Sequence, residues 1–377
     1  MSVTRFHIDV SDDVLADLRS RIRRTRFTTP SSPEPWAAGT DPGYLRTLLE
    51  HWADGFDWRE AEEELNRLPH HLADIDGQRI HFVHVRAAGG RPALPLILTH
   101  GWPSSFVEML PLVPLLTDPA RFGGDPADAF DVVIPSLPGF LFSDLPPGRP
   151  MTRQTTADTW HRLMTEELGY ARYGAFGGDI GGGVTTWLGS LHPESVAGIH
   201  LIHPGMPAEP TDLTDAEREW LAAVKAFDEK DGGYSEIMLT RPDTIAAALQ
   251  DSPAGLAAWI VDKYRAWSDC GGDLESRFDR DDILTVLTLY WATGTIGSSF
   301  RQYYDWPLSP PRPVVRVPAG VTLSAEPVLR DMPRSLAERG FTDLRQWRGP
   351  TVGGHFMPME EPALLAGDLR TLFRPLR

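Results

Sequence analysis

The heptapeptide GGDIGGG at residues 177–183 constrains this chain more than any other segment. It follows a short apolar run, YGAF, and precedes a stretch that reads as a helix. Strand, sharp turn and helix in that order make a nucleophile elbow, where small residues flank a side chain held in a strained conformation. Gly177 and Gly181 stand where a Cβ would collide with the neighbouring strand or helix. The flanked residue, Asp179, is an aspartate rather than a serine. A carboxylate in that position attacks saturated carbon by displacement and forms an alkyl ester of the enzyme. That chemistry suits epoxides and alkyl halides and excludes a serine acyl-enzyme. Taken alone, a glycine-flanked Asp is equally a turn residue or a helix N-cap, so its meaning depends on partners elsewhere in the chain.

From Pro92 the sequence alternates strand and helix. LPLILTH, FDVVIPSLPG, YGAFGGD and VAGIHLIHPG are short apolar runs, each ending in Gly, Pro, Asp or His. They predict buried parallel strands, and in an open parallel sheet function gathers at the carboxyl ends of the strands. The rhythm breaks at about residue 206, where PAEPTDLTDAERE opens a stretch of helical periodicity reaching about Tyr304. This reads as an inserted helical cap, 206–305. Strand signals return in VRVPAGVTLSAEP and DLRQWRGPTVGG, so the core comprises 91–205 and 306–377. Residues 1–90 form an N-terminal extension. In it Ser11 caps the amphipathic helix DDVLADLRSRIRRTRF, and TTPSSPEPW and GTDPGY make a Pro-rich meander. YLRTLLEHWADGFDWREAEEELNRL then recovers helical spacing, and IDGQRIHFVHVR supplies a turn and an alternating strand. The expected fold class is α/β, a mostly parallel central sheet flanked by helices with an inserted cap and an N-terminal extension.

A chain of 377 residues accommodates one such domain with an inserted module, or two ordinary domains. Its formal charge of −16 argues against nucleic acid or an anionic membrane as partner. Twelve tryptophans hint at an aromatic-lined cavity. The single cysteine, Cys270, excludes an internal disulfide framework and fits a reducing compartment. MSVTRFHIDVSDD lacks the apolar core of a signal peptide, so a cytoplasmic location is expected. The uncharged run from Ile283 to Phe300 contains Thr, Ser and Gly and reads as a buried helix followed by a turn. A homodimer is a mild expectation.

Four groups of residues offer partners for Asp179. HGWP, at His100 to Pro103, follows LPLILT and would aim the Trp102 N–H at the same point as the N–H of Ile180, making an oxyanion hole. His355, in GGHFMPMEEP, follows the last strand in a Gly-rich loop. An acid to orient it should follow the penultimate strand, where Glu326 comes first and Asp331 five residues later. For an epoxide the cap must also supply a proton to the ring oxygen, and tyrosine does this at neutral pH. Tyr234 is one candidate and Tyr303 or Tyr304 another. His81 and His84, three apart on a strand, face opposite ways, which argues against a joint metal site. Ser136 and Ser190 lack flanking glycines, so an ordinary serine esterase has no elbow here.

In these residues the chain resembles the microsomal-type epoxide hydrolases of the α/β-hydrolase superfamily, including their soluble bacterial members. FDWREAEEELNRLPHHLADIDGQRIHFVHVR resembles the family's N-terminal segment, HGWPSSFVEM its oxyanion loop, PSLPGFLFSD the following loop and GGDIGG its elbow. TRPDTIAAALQDSPAGLAAWIVDKYRAWSD, LYWATGTIGSSFRQYY and GGHFMPMEEPALLAGDLR are similar as well. The resemblance implies Asp179 as nucleophile, His355 as water-activating base and Glu326 as its orienting acid. Tyr234 and Tyr303 match the paired epoxide-protonating tyrosines, with Tyr304 the adjacent alternative. It implies an epoxide and water as reactants, a vicinal diol as product, and no metal or organic cofactor, while aromatic richness and the inserted cap suggest that the epoxide is bulky and apolar. VTLSAEPVL is one residue shorter before its acid than the commoner pattern, and Leu141 stands where a glycine is usual, expected beside the mouth of the site. The membrane anchor of the vertebrate members has no counterpart, which reads as a soluble enzyme. Two rival readings remain: a haloalkane dehalogenase, although Ile180 stands where such enzymes often carry Trp, and a non-catalytic binder of an apolar ligand.

Overall fold

The apolar runs form the middle of a nine-stranded sheet. In a computed structural model that describes residues 3–90, 92–146, 148–205, 211–350 and 352–377, the strands are β1 (Thr4–Arg5), β2 (His70–Ile75), β3 (Gln78–Val85), β4 (Leu94–Thr99), β5 (Phe130–Pro135), β6 (Tyr173–Gly177), β7 (Val196–Leu201), β8 (Ala319–Thr322) and β9 (Leu344–Arg348). Their order is β1-β2-β3-β5-β4-β6-β7-β8-β9. The pairs β1–β2, β2–β3 and β3–β5 are antiparallel and all later pairs are parallel. Every residue of β4 to β8 is buried, as helices on both faces of a parallel sheet require, and this is why those strands read as unbroken apolar runs. The β2–β3 hairpin turns on Asp76 (φ 56°) and Gly77 (φ 73°), the left-handed pair that a two-residue hairpin needs.

The N-terminal extension differs from the sequence expectation in two details. Ser11 occupies the N-cap position with extended backbone angles, but its side chain makes no capping bond, and the helix it precedes spans Asp12–Arg23 rather than running on to Phe27. The second helical stretch is two helices, Pro42–Asp54 and Trp58–Asn66. Asp57 restarts the chain, its carboxylate accepting from the N–H groups of Arg59 and Glu60.

Between Leu201 and Ala319 the described residues contain helices and loops and no strand. The expected start of the cap, at residue 206, lies outside the described residues. The buried helix Arg280–Thr293 ends at Gly294, whose φ of 67° makes the left-handed C-cap, and a short helix Ile296–Ser299 follows. Among the described residues no single helix is long and apolar enough to cross a membrane. Two buried hydrogen bonds lock this helical segment to the rest of the chain. Tyr290 donates its hydroxyl to the Ser104 carbonyl oxygen at 2.8 Å, just beyond HGWP. Trp52 of the extension donates Nε1–H to Thr288 Oγ1 at 2.9 Å.

Candidate active site

β6 ends at Gly177, Gly178 continues extended, and Asp179 begins the helix Asp179–Leu191 with a φ of 50°. A left-handed non-glycine residue stores strain, and strain of this kind collects at sites whose surroundings over-determine it. The surroundings here are backbone. A Cβ on Gly177 would lie 2.3 Å from the Gly181 carbonyl oxygen, one on Gly181 would lie 2.0 Å from that of Thr99, and one on Gly101 would lie 2.4 Å from Asp179 Oδ1. The glycines thus allow β4, β6 and the helix to close on one another until the Asp179 carboxylate reaches the HGWP loop. There the Trp102 N–H donates to Asp179 Oδ1 at 2.9 Å. Ile180 lies in the first turn of the same helix, where an N–H has no acceptor within the helix. His100 steadies the loop from behind: its Nε2 accepts from the Leu137 N–H at 3.1 Å, and burial lowers its pKa to about 4, keeping it neutral.

His355 comes from the loop after β9, Glu326 from the loop after β8. His355 Nδ1 and Glu326 Oε2 are 2.9 Å apart in a buried contact. With Nδ1–H donated to the carboxylate, Nε2 is left free to take a proton from water. Burial alone lowers the His355 pKa, but the facing Glu326 carboxylate, its hydrogen bond and the charge of Asp179 outweigh that and raise it. Burial pushes Glu326 the other way, yet the two imidazoles around it hold its carboxyl well below its ordinary value. Asp331 is exposed, away from this pair.

Sequence reasoning missed a third member. His203, two residues past β7, accepts the Asp179 N–H on Nδ1 at 2.7 Å, which fixes its other nitrogen as Nε2–H. That nitrogen lies 3.2 Å from Glu326 Oε2 but off the line of a good hydrogen bond, and the ring lies against His355 with centroids 4.4 Å apart. His203 therefore lies between the Asp179 backbone and Glu326. The β6–β7 register pairs Gly177 with Leu201 and so carries His203 alongside the elbow, a signal readable only once these strands are known neighbours. Glu108 was missed too. It is buried on the turn Phe106–Met109, and burial pushes its carboxyl up to about 7 within the field of His355 and Asp179. By residue type, His203, Glu326 and His355 are a set able to hold a metal ion, their ligand atoms lying within 4.8 Å of one another.

The helical segment closes the site with aromatics. Trp102 stacks on Tyr234 (centroids 5.4 Å apart, planes 9° apart) and meets Tyr303, Trp267 and Phe300 edge-on at 6.0, 6.3 and 6.2 Å. Asp231 braces this cluster, accepting from Trp267 Nε1–H at 2.9 Å and from buried Lys263 at 2.8 Å, while the Lys263 ammonium lies 4.8 Å over the Tyr234 ring. The Tyr234 and Tyr303 rings cross at 77° with their centroids 6.2 Å apart. Burial, with Asp179 close by, pushes both phenols up from their ordinary value, so both stay protonated donors. Tyr304 is 52% exposed and faces away. Leu141 is buried, its N–H on Thr295 Oγ1 at 3.1 Å, and not in the lining of the cleft that reaches Asp179.

Residues 3–109 match the family described as epoxide hydrolase N terminus, and residues 95–231 the alpha/beta hydrolase fold. The chain is 43% identical to a "Putative epoxide hydrolase" of Stigmatella aurantiaca, over all of this chain and 86% of that protein. It is 34% identical to epoxide hydrolase 1 of Sus scrofa, over 98% of this chain and 88% of that one. Among solved structures, the juvenile hormone epoxide hydrolase of the silkworm Bombyx mori superposes with a TM-score of 0.90 at 27% identity, over 100% of this chain and 95% of that one. An Asp-bearing elbow on this sheet, with such relatives along the whole length, makes the chain a member of the epoxide hydrolase family, built on the α/β-hydrolase fold.

Proposed function

We propose that this epoxide hydrolase converts an epoxide with an apolar body to its vicinal diol through an ester on Asp179. The observation that supports the reading is an Asp179 carboxylate, held by the Trp102 N–H, whose charge acts on Tyr234, on Tyr303 and on His355 of the His355–Glu326 pair. An Asp179 oxygen attacks a ring carbon, the carbon–oxygen bond opens, and Tyr234 or Tyr303 gives its proton to the ring oxygen. Esterification removes the negative charge of Asp179, one of the causes that raise the His355 pKa. The imidazolium then sheds a proton that restores the tyrosine and becomes a neutral base. His355 Nε2 next takes a proton from water, whose oxygen attacks the ester carbonyl carbon. The N–H groups of Trp102 and Ile180 stabilise the resulting oxyanion. Collapse releases the diol, whose alkoxide oxygen takes the proton of the new carboxylic acid. The cycle closes with Asp179 ionised and His355 protonated, as at the start.

A single turnover of styrene oxide in oxygen-18 water tests this. The first diol should carry unlabelled oxygen from Asp179 and the label should enter the protein carboxylate. Asp179→Asn, freshly purified, should form no diol, and His355→Gln should accumulate an ester adduct visible by mass. Diol fully labelled from the first turnover would refute the ester route.

A further inference from the structure

The cleft that reaches Asp179, His203, Glu326 and His355 has a volume of about 560 Å³ and walls that include Trp187, Trp306, Val328 and Leu329. Two arginines, Arg153 and Arg312, also line it. Among the described residues neither forms an ion pair, whereas most other arginines of the chain face a carboxylate within 4 Å. The Nη1 of Arg312 is buried without a hydrogen-bond partner. Arg153 opens the helix Arg153–Arg162, where the positive end of the helix disfavours a cation and no acidic residue in the first turn compensates. Its guanidinium carbon sits 3.6 Å over the Trp306 ring, and its stem lies against Gly183, where a Cβ would come within 2.2 Å of Cδ. Arg312 sits in the run SPPRP, whose prolines restrict the backbone, and presses against Gly205. Burial lowers both guanidinium pKa values, to about 10 for Arg153, where the charges of Asp179 and Tyr303 oppose it only in part, and to about 9 for Arg312, where the charge of Arg153 adds to the effect.

Two like charges, partly buried and, among the described residues, without an ion pair, are costly unless an occupant neutralises them. The carboxylates within the cleft make no ion pair with either arginine: Asp179, whose charge reaches Arg153, is held by the Trp102 N–H, and Glu326 faces His355. We propose that the substrate is an epoxy acid, its carboxylate held by Arg153 and Arg312 while its apolar chain lies against the tryptophans and its ring reaches Asp179. The guanidinium fork matches a carboxylate in geometry, and such charge-assisted bonds are the stronger kind. The net charge of the protein makes the local inversion of sign selective, since the rest of the surface repels an anion.

This inference rests on the epoxide-hydrolysing reading, so two measurements separate them. In the first, the wild-type protein is titrated calorimetrically at low ionic strength with straight-chain acids from hexanoate to decanoate and with their primary amides. The acid should bind about tenfold or more tighter than the amide of equal length. That ratio should collapse towards one in Arg312→Gln and Arg153→Gln, and partly survive in Arg312→Lys. In the second, kcat/KM is compared for the terminal epoxides of the same acids and amides, and the same preference should appear, mainly in KM. Acids that bind no better than amides overturn the proposal, whatever the kinetics show. Equal turnover of both epoxide series overturns it too, and leaves the epoxide reading standing. Selective acid binding with no diol from any epoxide supports the anion site and removes the hydrolase reading instead.

Discussion

Gly181→Ala is the sharpest test of the elbow, because the obstacle is backbone. The added Cβ would lie 2.0 Å from the Thr99 carbonyl oxygen, 2.6 Å from its carbon and 2.7 Å from the His100 carbonyl oxygen. Real Cβ atoms do not approach under 3.0 Å, so the helix Asp179–Leu191 and the end of β4 must part by about 1 Å. Neither side yields easily. Thr99 is paired to Gly177 in the parallel register of β4 and β6, and the helix packs its buried face on that sheet. Overpacking of this kind costs about 1–3 kcal/mol. The motion also draws Asp179 away from the Trp102 N–H, and a misplacement of about 1 Å at a reacting group costs on the order of a hundredfold in rate. The assay is paired: the urea midpoint for stability, and rapid quench with mass detection for ester formation. Gly367→Ala on the helix Pro362–Phe373 is the control, since its Cβ meets nothing within 4 Å and should gain up to about 1 kcal/mol of helix propensity. A Gly181→Ala protein whose midpoint matches that control, with ester formation within about threefold of wild type, would refute the reasoning.

Three further outcomes are expected. Glu326→Gln removes the carboxylate that raises the His355 pKa, so the acid limb of ester hydrolysis should move to lower pH while its plateau falls and ester accumulates; an unmoved limb, read by stopped-flow tryptophan fluorescence, would contradict the assigned pairing. The raised His355 pKa also contributes stability that is fully present below its ordinary value of 6.5 and lost as pH rises through the native value, so the wild type should lose urea resistance over that window and Glu326→Gln should not. Leu141→Gly relieves a left-handed residue (φ 49°) worth about 1–2 kcal/mol but deletes a side chain only 5% exposed, worth about 2–5 kcal/mol, so a net loss of stability is expected by urea titration and a gain would show that strain dominates.

The sheet and the elbow are legible in the sequence because both are local. Strands buried on both faces must be apolar throughout, so YGAF and LPLILT need no context to be read as strands, while the Asp between glycines that follows takes its meaning from HGWP and GGHF read beside it. Failures of reading arise where the deciding partner lies far along the chain. Ser11 looks like a cap by residue type and position, yet its side chain makes no capping bond. His203 looks like a turn residue before Pro204, because nothing local shows that β7 runs beside β6. Arg153 and Arg312 vanish among the 36 basic residues of the chain, most of which compose an ordinary surface.

The pair Tyr303 and Tyr304 marks that boundary. Both follow SSFRQ, both are tyrosine, and on a helix they point about 100° apart, so the choice between them is a rotation that the sequence does not specify. The rotation is set by neighbours. Gln302 is buried and donates to Thr156 at 3.3 Å, and Asp305, 1% exposed, accepts from the Met151 N–H at 2.7 Å and pairs with Arg301. With both flanks pinned to the segment around Thr152, the arc between them faces Trp102 and Tyr234, and Tyr303 occupies it. The same anchoring places Arg153, the next residue after Thr152, beside that tyrosine, where its charge acts on the Tyr303 hydroxyl. A tyrosine proposed to protonate the ring oxygen and the residue proposed to hold the substrate's carboxylate are thus positioned by one set of contacts. Loosening Asp305, by Asp305→Asn, should therefore weaken ring opening and the preference for acids together.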